Sequence, residues 1–89
     1  MKIKVKQMTS PRSGGSVANQ FIIYTSEGRY FQSYDSIIAA IEDGEITLDE
    51  NTWDYSRTTG KYRNEFLGEY IEETRAKIES GEYELQNLN

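Results

Sequence analysis

The chain has 89 residues and a formal net charge of −5, and it contains neither cysteine nor histidine. This composition excludes disulfides, thiolate chemistry, zinc sites of the usual Cys/His type and an imidazole general base. A chain of this length forms one domain, so residues 1–89 are expected to fold together. Cysteine and histidine, on which many enzyme mechanisms depend, are absent. We therefore expect a protein that is not an enzyme and needs no cofactor or metal.

Charge is distributed unevenly along the chain. Residues 1–34 carry five basic side chains and one acidic one, whereas residues 35–89 carry five basic and fourteen acidic ones. This asymmetry disfavours an evenly basic nucleic-acid binder. No apolar run resembles a signal peptide or approaches the roughly 20 residues of a membrane span. We therefore expect a cytoplasmic protein that does not insert into membranes.

The first twenty residues predict a strand and a loop. Residues 2–8 alternate lysine with apolar side chains, which predicts an edge strand with Ile3 and Val5 on one face and three lysines turned outward. Residues 9–19 contain the only proline and two adjacent glycines, a composition that favours a flexible connection.

Two aromatic and β-branched runs follow. Residues 20–25 and 29–34 predict a hairpin, in which Gly28 supplies the positive φ that a short turn needs.

A short helix is predicted next. In residues 35–43, Ile37 and Ile41 fall on one helical face, and Gly44 stands where a left-handed C-cap belongs. An alternating strand over residues 45–48 follows.

The second half predicts mainly helix. Ser56 is a suitable N-cap, and an apolar stripe at intervals of three and four residues predicts a helical region over residues 57–80. At Gly68 either one helix kinks or two helices meet. Gly81 ends the region, and residues 83–88 predict a last strand.

Two segments resemble each other. Residues 39–48, AAIEDGEITL, and residues 76–85, AKIESGEYEL, are identical at six of ten positions. Both are interpreted as a helix end, a glycine C-cap and a strand, and recurrence of one capping solution is favoured over duplication. The fold class is therefore α+β: a small, mainly antiparallel sheet of about five strands, packed against a short helix and a longer C-terminal helical region.

Two sequence patterns, FQSY…IIA and WDYSRTTGKY…FLG, resemble a family of short, largely uncharacterised proteins of bacteriophages and related mobile elements of Gram-positive bacteria. The resemblance covers roughly residues 9–89. It implies a setting, the cytoplasm of an infected or lysogenic host cell, and it carries no catalytic residues with it.

Aromatic and basic side chains are concentrated in residues 52–68, TWDYSRTTGKYRNEFLG. Tryptophan, tyrosine and arginine are the usual anchors of protein interfaces. We therefore predict that this surface binds a macromolecular partner, most simply a host or phage protein. The predicted partner-binding residues are Trp53, Tyr55, Arg57, Thr58, Lys61, Arg63 and Arg12.

The same ingredients suit single-stranded nucleic acid, which is held by cations and aromatic platforms. We keep nucleic acid as the alternative partner. A structural role is favoured for Tyr62 and Phe66 as core residues, whereas for Trp53 and Tyr55 core and surface positions both stay open.

Other chemistries fit less well. A calcium loop counted from Asp49 has the wrong residues at its key positions, so the acidic residues here are expected to form a solvated loop. A Ser56–Lys61 nucleophile pair would need a buried lysine, and the glycine-rich segment around Arg12 lacks the spacing of a phosphate loop. An enzyme that acts on a phosphorylated ligand through Arg12 and Ser56 is the least favoured alternative.

Overall fold

The computed structural model describes residues 2–89, which form a six-stranded sheet with two helices on one of its faces. The strands follow one another in the sheet in sequence order, each antiparallel to the next, except that the last strand is parallel to its neighbour. The elements are β1 (Lys4–Thr9), β2 (Ser16–Tyr24), β3 (Gly28–Ser33), β4 (Ser36–Glu42), β5 (Glu45–Asp49), α1 (Arg57–Leu67), α2 (Ile71–Ser80) and β6 (Glu84–Gln86).

The predicted α+β class and the mainly antiparallel sheet are confirmed. The described residues hold six strands rather than about five, and the C-terminal helical region consists of two short helices. At Gly68 the backbone is left-handed, with φ 72°, and the Gly68 N–H donates to the Asn64 carbonyl oxygen at 2.8 Å. Two helices therefore meet at Gly68, and the alternative of one kinked helix is not observed. Gly81 ends α2 as predicted.

The helix predicted over residues 35–43 is wrong, because this segment forms β4. Its register with β3 shifts between Phe31 and Gln32, and the bulge lets two successive residues, Ile38 and Ala39, join the core. A bulge breaks the period-2 pattern that identifies a strand, which is why the segment resembles a helix.

The apolar core lies between the sheet and the helices. The Phe31 and Phe66 ring centroids are 5.8 Å apart, which joins β3 to α1. Tyr62 and Phe66 are buried in the core, as predicted. The core cluster consists of Met8, Phe31, Ile38, Ala39, Leu48, Tyr62, Phe66 and Tyr83.

Strand β1 alternates as predicted, but the apolar side chains at its start do not contribute to the core, whereas Met8 near its end does. Ile3 and Val5 are 62% and 59% exposed. Lys6 is paired with Ile22, which packs against the core, whereas Val5 is paired with Ile23 on the other face. The lysines of β1 therefore share the helical side of the sheet with the buried Met8, whereas Val5 points away from the helices.

The predicted hairpin is confirmed as β2 and β3, but the role of its glycine differs. Gly28 does not have a positive φ. A Cβ at Gly28 would collide with the Ile41 carbonyl oxygen, so the close approach of β4 requires glycine here. The flexible connection expected over residues 9–19 is shorter, because β1 extends to Thr9 and β2 begins at Ser16.

Candidate functional site

The start of α1 places the cations of the predicted site at the surface. Ser56 caps the helix, as predicted, by accepting a hydrogen bond from the Thr59 N–H at 3.1 Å. Arg57 and Lys61 follow on exposed positions. Within residues 2–89, no hydrogen bond or ion pair holds the Arg57 guanidinium, and the Lys61 ammonium lies 5.5 Å from the centroid of the Tyr62 ring.

The loop before α1 is organised by a buried carboxylate. Asp49 accepts hydrogen bonds from the Thr52 hydroxyl at 2.7 Å, the Thr52 N–H at 3.0 Å, the Leu88 N–H at 2.9 Å and the Asn51 N–H at 3.2 Å. Burial acts to raise the pKa of Asp49, but these hydrogen bonds outweigh it and lower the pKa. The prediction that Asp49 belongs to a solvated acidic loop is therefore wrong.

Trp53 and Arg63 form the buried layer of the predicted site. Trp53 is half-buried against the core. Arg63 is only 2% exposed, its guanidinium carbon lies 5.5 Å from the Trp53 ring centroid, and its Nη1 donates to the Trp53 carbonyl oxygen at 2.6 Å. Arg63 thus fixes the loop to α1 from within the protein.

Asp54 ties this layer to both helices. Its Oδ1 lies 3.3 Å from Nη1 of Arg63, and its Oδ2 lies 3.1 Å from Nη2 of Arg75 in α2. The Arg75 pair is exposed and contributes little to stability, whereas the Arg63 side chain is almost fully buried and depends on its protein partners.

Between the helices lies an open groove of about 780 Å³, which we call the α1–α2 groove. It carries both signs of charge, and Tyr70, at the junction of the helices, is 73% exposed in it. Its lining includes Arg57, Lys61, Glu65, Tyr70, Glu73 and Arg75.

The predicted site residues are only partly brought together. Arg57, Lys61 and Arg63 line the α1–α2 groove. Tyr55 is 49% exposed and Thr58 is also exposed, both next to the start of α1. Arg12 lies in the turn between β1 and β2 and does not line the groove.

Tyr70 and Arg75 were not among the predicted site residues. Tyr70 is four residues after Phe66, a spacing that predicts the buried helical face, and it is exposed because α1 ends at Gly68 before reaching it.

A second buried carboxylate fastens α2 to the sheet. Glu69 accepts hydrogen bonds from the Thr74 hydroxyl at 2.5 Å, the Tyr83 hydroxyl at 2.7 Å and the Lys77 ammonium at 2.8 Å. Burial acts to raise the pKa of Glu69, but the hydrogen bonds, first that from Lys77, lower it below the ordinary value of 4.5. Burial and the bond to Glu69 raise the pKa of Tyr83 to about 12. A carboxylate this well satisfied is structural rather than a general base.

Fold and site together define a small two-layer α+β protein with an open, mixed-charge groove on its helical side. A family model described as a family of unknown function, DUF8033, matches residues 3–83, and the chain belongs to this family. Comparisons with curated proteins and with solved structures gave no match. Neither helix within residues 2–89 is long and apolar enough to cross a membrane.

Proposed function

We propose that this protein is a non-enzymatic accessory protein of a phage or mobile element, and that it binds a host or phage protein in the host cytoplasm. The partner occupies the α1–α2 groove and its rim at Tyr55 and Thr58. The resemblance to phage and mobile-element proteins supports the setting. The observation that carries the binding proposal is the free, exposed pair of cations at the start of α1.

The charges on the two helices support a binding role for this pair. In α2 the first turn carries Glu72 and Glu73 and the last turn carries Lys77, which suits the helix dipole. In α1 the first turn has no acidic residue, and Arg57 stands at the positive end of the dipole. This placement costs α1 about 0.3–1 kcal/mol. A charge that opposes its own helix and lacks a partner in the fold is better explained by a partner outside it.

The buried layer beneath the groove supports the same proposal. Arg63 and Asp54 hold the loop against α1, so the exposed groups around it stand on a fixed base. Binding then costs less conformational entropy than it would on a mobile loop. Tyrosine and arginine on such a base are typical anchors of an interface. Arg57 and Lys61 favour a partner segment that presents carboxylates.

Single-stranded nucleic acid is the second candidate. The observation that favours it is the orientation of β1, whose lysines lie on the helical side of the sheet; Lys6 shares a surface depression with Glu65 of α1. Phosphates could then contact the lysines of β1, with Tyr55 available for stacking, although the Glu65 carboxylate beside Lys6 repels them. The half-buried position of Trp53 beside Arg63 counts against it, because the best stacking ring of the segment is partly covered.

Affinity capture from a host lysate, with and without nuclease, tests the proposal. The Arg57→Glu variant is compared with Arg29→Glu, which makes the same charge change at an exposed position on β3. We expect a discrete protein that survives nuclease, is lost with Arg57→Glu and is retained with Arg29→Glu. The captured protein is then purified, and its affinity for the three proteins is measured by calorimetry.

Equal capture by the wild type and Arg57→Glu would contradict the proposal. Recovery of nucleic acid that is lost on nuclease treatment, and whose affinity falls steeply with salt, would establish the second candidate instead.

A further inference from the structure

The face of the sheet that points away from the helices, which we call the open face, is apolar at its centre. The register places one row of side chains on this face across the whole sheet, and a second row beside it alternates polar and apolar residues, Gln7, Phe21, Gln32 and Ile37. The first row runs through Val5, Ile23, Tyr30, Ala40, Thr47 and Glu84.

The row next to it points the other way and is covered by the helices. It runs through Lys6, Ile22, Phe31, Ala39, Leu48 and Leu85, and its central members form the floor of the core. Ala40 is only 3% exposed, and the other apolar side chains of the open face neither belong to that core cluster nor pack against it. Within residues 2–89 both helices lie on the opposite side, so the open face has aromatic and β-branched side chains and no cover.

The order of the strands converts the charge asymmetry of the sequence into an asymmetry across the sheet. Because β1 is one edge, Lys2, Lys4 and Lys6 give that edge a positive charge. On the open face the far end is acidic, where Glu42 is paired with Glu45 and Glu84 follows on β6. When a second copy is rotated by 180°, its basic edge can therefore lie over the acidic edge of the first copy.

Geometry selects one of the two simple ways to stack two copies. A two-fold axis parallel to the strands places β1 of one copy over β6 of the other, so the basic edge faces the acidic edge. An axis perpendicular to the strands places β1 over β1 and sets lysine against lysine. The lysines of β1 leave the strand on the helical side, and the four-carbon stem lets the ammonium of an edge lysine extend past β1 toward the facing carboxylates.

The available area is sufficient for a modest interface. Six strands about 4.8 Å apart span about 24 Å, and strands of about six residues are about 20 Å long, which gives about 500 Å² per copy and about 1,000 Å² in total. This is near the lower limit of specific interfaces.

We propose that a second copy of this chain covers the open face, with the two-fold axis parallel to the strands and the two sheets packed face to face. The dimer leaves both α1–α2 grooves on its outer surfaces. It is therefore independent of the proposed partner binding, and either proposal can fail without the other.

Sedimentation equilibrium over a wide range of protein concentration tests the dimer. Val5→Glu introduces a charge into the open face at an exposed edge position, so it is expected to leave the fold intact. Tyr70→Glu is the matched control, because it introduces the same charge at an exposed position on the helical side. We expect Val5→Glu to raise the dimer dissociation constant at least tenfold and Tyr70→Glu to leave it unchanged, with circular dichroism confirming that both variants fold.

A charge exchange tests the orientation. One variant carries Lys2→Glu and Lys4→Glu, and the other carries Glu45→Lys and Glu84→Lys. Each alone places like charges across the interface and should dimerise more weakly, whereas native mass spectrometry of the mixture should detect the mixed dimer. A wild type that stays monomeric at every concentration, or a dimer unaffected by Val5→Glu, would overturn the proposal. If the mixture of the two charge variants forms no mixed dimer, the proposed two-fold axis parallel to the strands is wrong.

Discussion

Residues 39–48 and 76–85 have closely similar sequences and different structures. The first segment, AAIEDGEITL, is a strand, a tight turn and a second strand, whereas the second, AKIESGEYEL, is the end of a helix, a cap and a short strand. Gly44 and Gly81 both have left-handed backbones, with φ 77° and 84°, and a strand follows each. The two segments differ in the structure before the glycine. The identical residues therefore determine that the chain turns at the glycine, but not whether a strand or a helix precedes it.

The difference comes from the turn and from tertiary position. Asp43 also has a positive φ, 51°, so Asp43 and Gly44 together form a two-residue hairpin turn, whereas Ser80 is still helical. Ala39 is buried in the middle of the sheet, while the corresponding Ala76 is exposed on α2. Position in the core therefore overrides a local helical pattern.

The largest expected effect comes from truncating the leucine that ends each segment. Leu48 is fully buried between β4 and β6, and its counterpart Leu85 is exposed. We expect Leu48→Ala to lower the free energy of unfolding by about 2–5 kcal/mol and Leu85→Ala by less than about 1 kcal/mol. Urea unfolding followed by tryptophan fluorescence measures both. Equal losses would mean that β6 is as much a part of the core as β5.

A second difference is that residues 76–85, and not residues 39–48, supply side chains that bind a buried carboxylate, Glu69. Lys77 and Tyr83, in the second segment, both donate to Glu69. Glu69→Gln removes the charge from this buried cluster, and we expect a loss of about 1–3 kcal/mol at neutral pH. Glu72→Gln, at an exposed position in the first turn of α2, is the control and should cost less than about 1 kcal/mol.

The effect of Glu69 should depend on pH. Its pKa is lower in the folded protein than its ordinary value of 4.5, so its contribution is complete above about pH 4.5 and is lost as the pH falls through the folded pKa. The stability difference between the wild type and Glu69→Gln should shrink below that pH. A difference that stays constant down to acid unfolding would show that the ionised form of Glu69 does not contribute.

The glycines should behave alike despite their different settings. An added Cβ meets no atom within 4 Å at Gly44 or at Gly81, so the cost of alanine arises from the left-handed backbone alone. We expect about 1 kcal/mol for each Gly→Ala variant and less for Gly→Asn. Thermal unfolding of the four variants measures this. A much larger loss at Gly44 would show that the hairpin turn is more demanding than the helix cap.

Features set by neighbouring residues were predictable: the Ser56 cap, the end of α2 at Gly81 and the hairpin of β2 and β3. The β4 strand was missed because the bulge at Ile38 hides its alternation, although the Asp-Gly pair between two apolar runs is a hairpin signal. The lysines of β1 were expected to face outward, which would have turned its apolar side chains toward the core. Only the register with β2 shows that Val5 lies on the face away from the helices.

The candidate site was predictable to a similar extent. The position of Arg57 and Lys61 on the exposed start of a capped helix follows from local sequence. The burial of Arg63 does not, because arginine is rarely buried without partners and those partners, the Trp53 carbonyl oxygen and Asp54, are contacts made by a loop. The groove itself depends on how α2 returns beside α1 after Gly68.

The smallest expected effect is that of Asp43→Ser, which tests whether the turn residue or burial in the core causes the difference between the two segments. Asp43→Ser gives the first segment the Ser-Gly pair of the second. Serine tolerates a positive φ less well than aspartate, so we expect a loss below about 1 kcal/mol. The sheet should persist, because Ile38 and Ala39 stay buried beneath the helices, and far-ultraviolet circular dichroism should be unchanged. A gain of helical signal in Asp43→Ser would instead mean that the turn residue, and not burial in the sheet, determines the structure of residues 39–48.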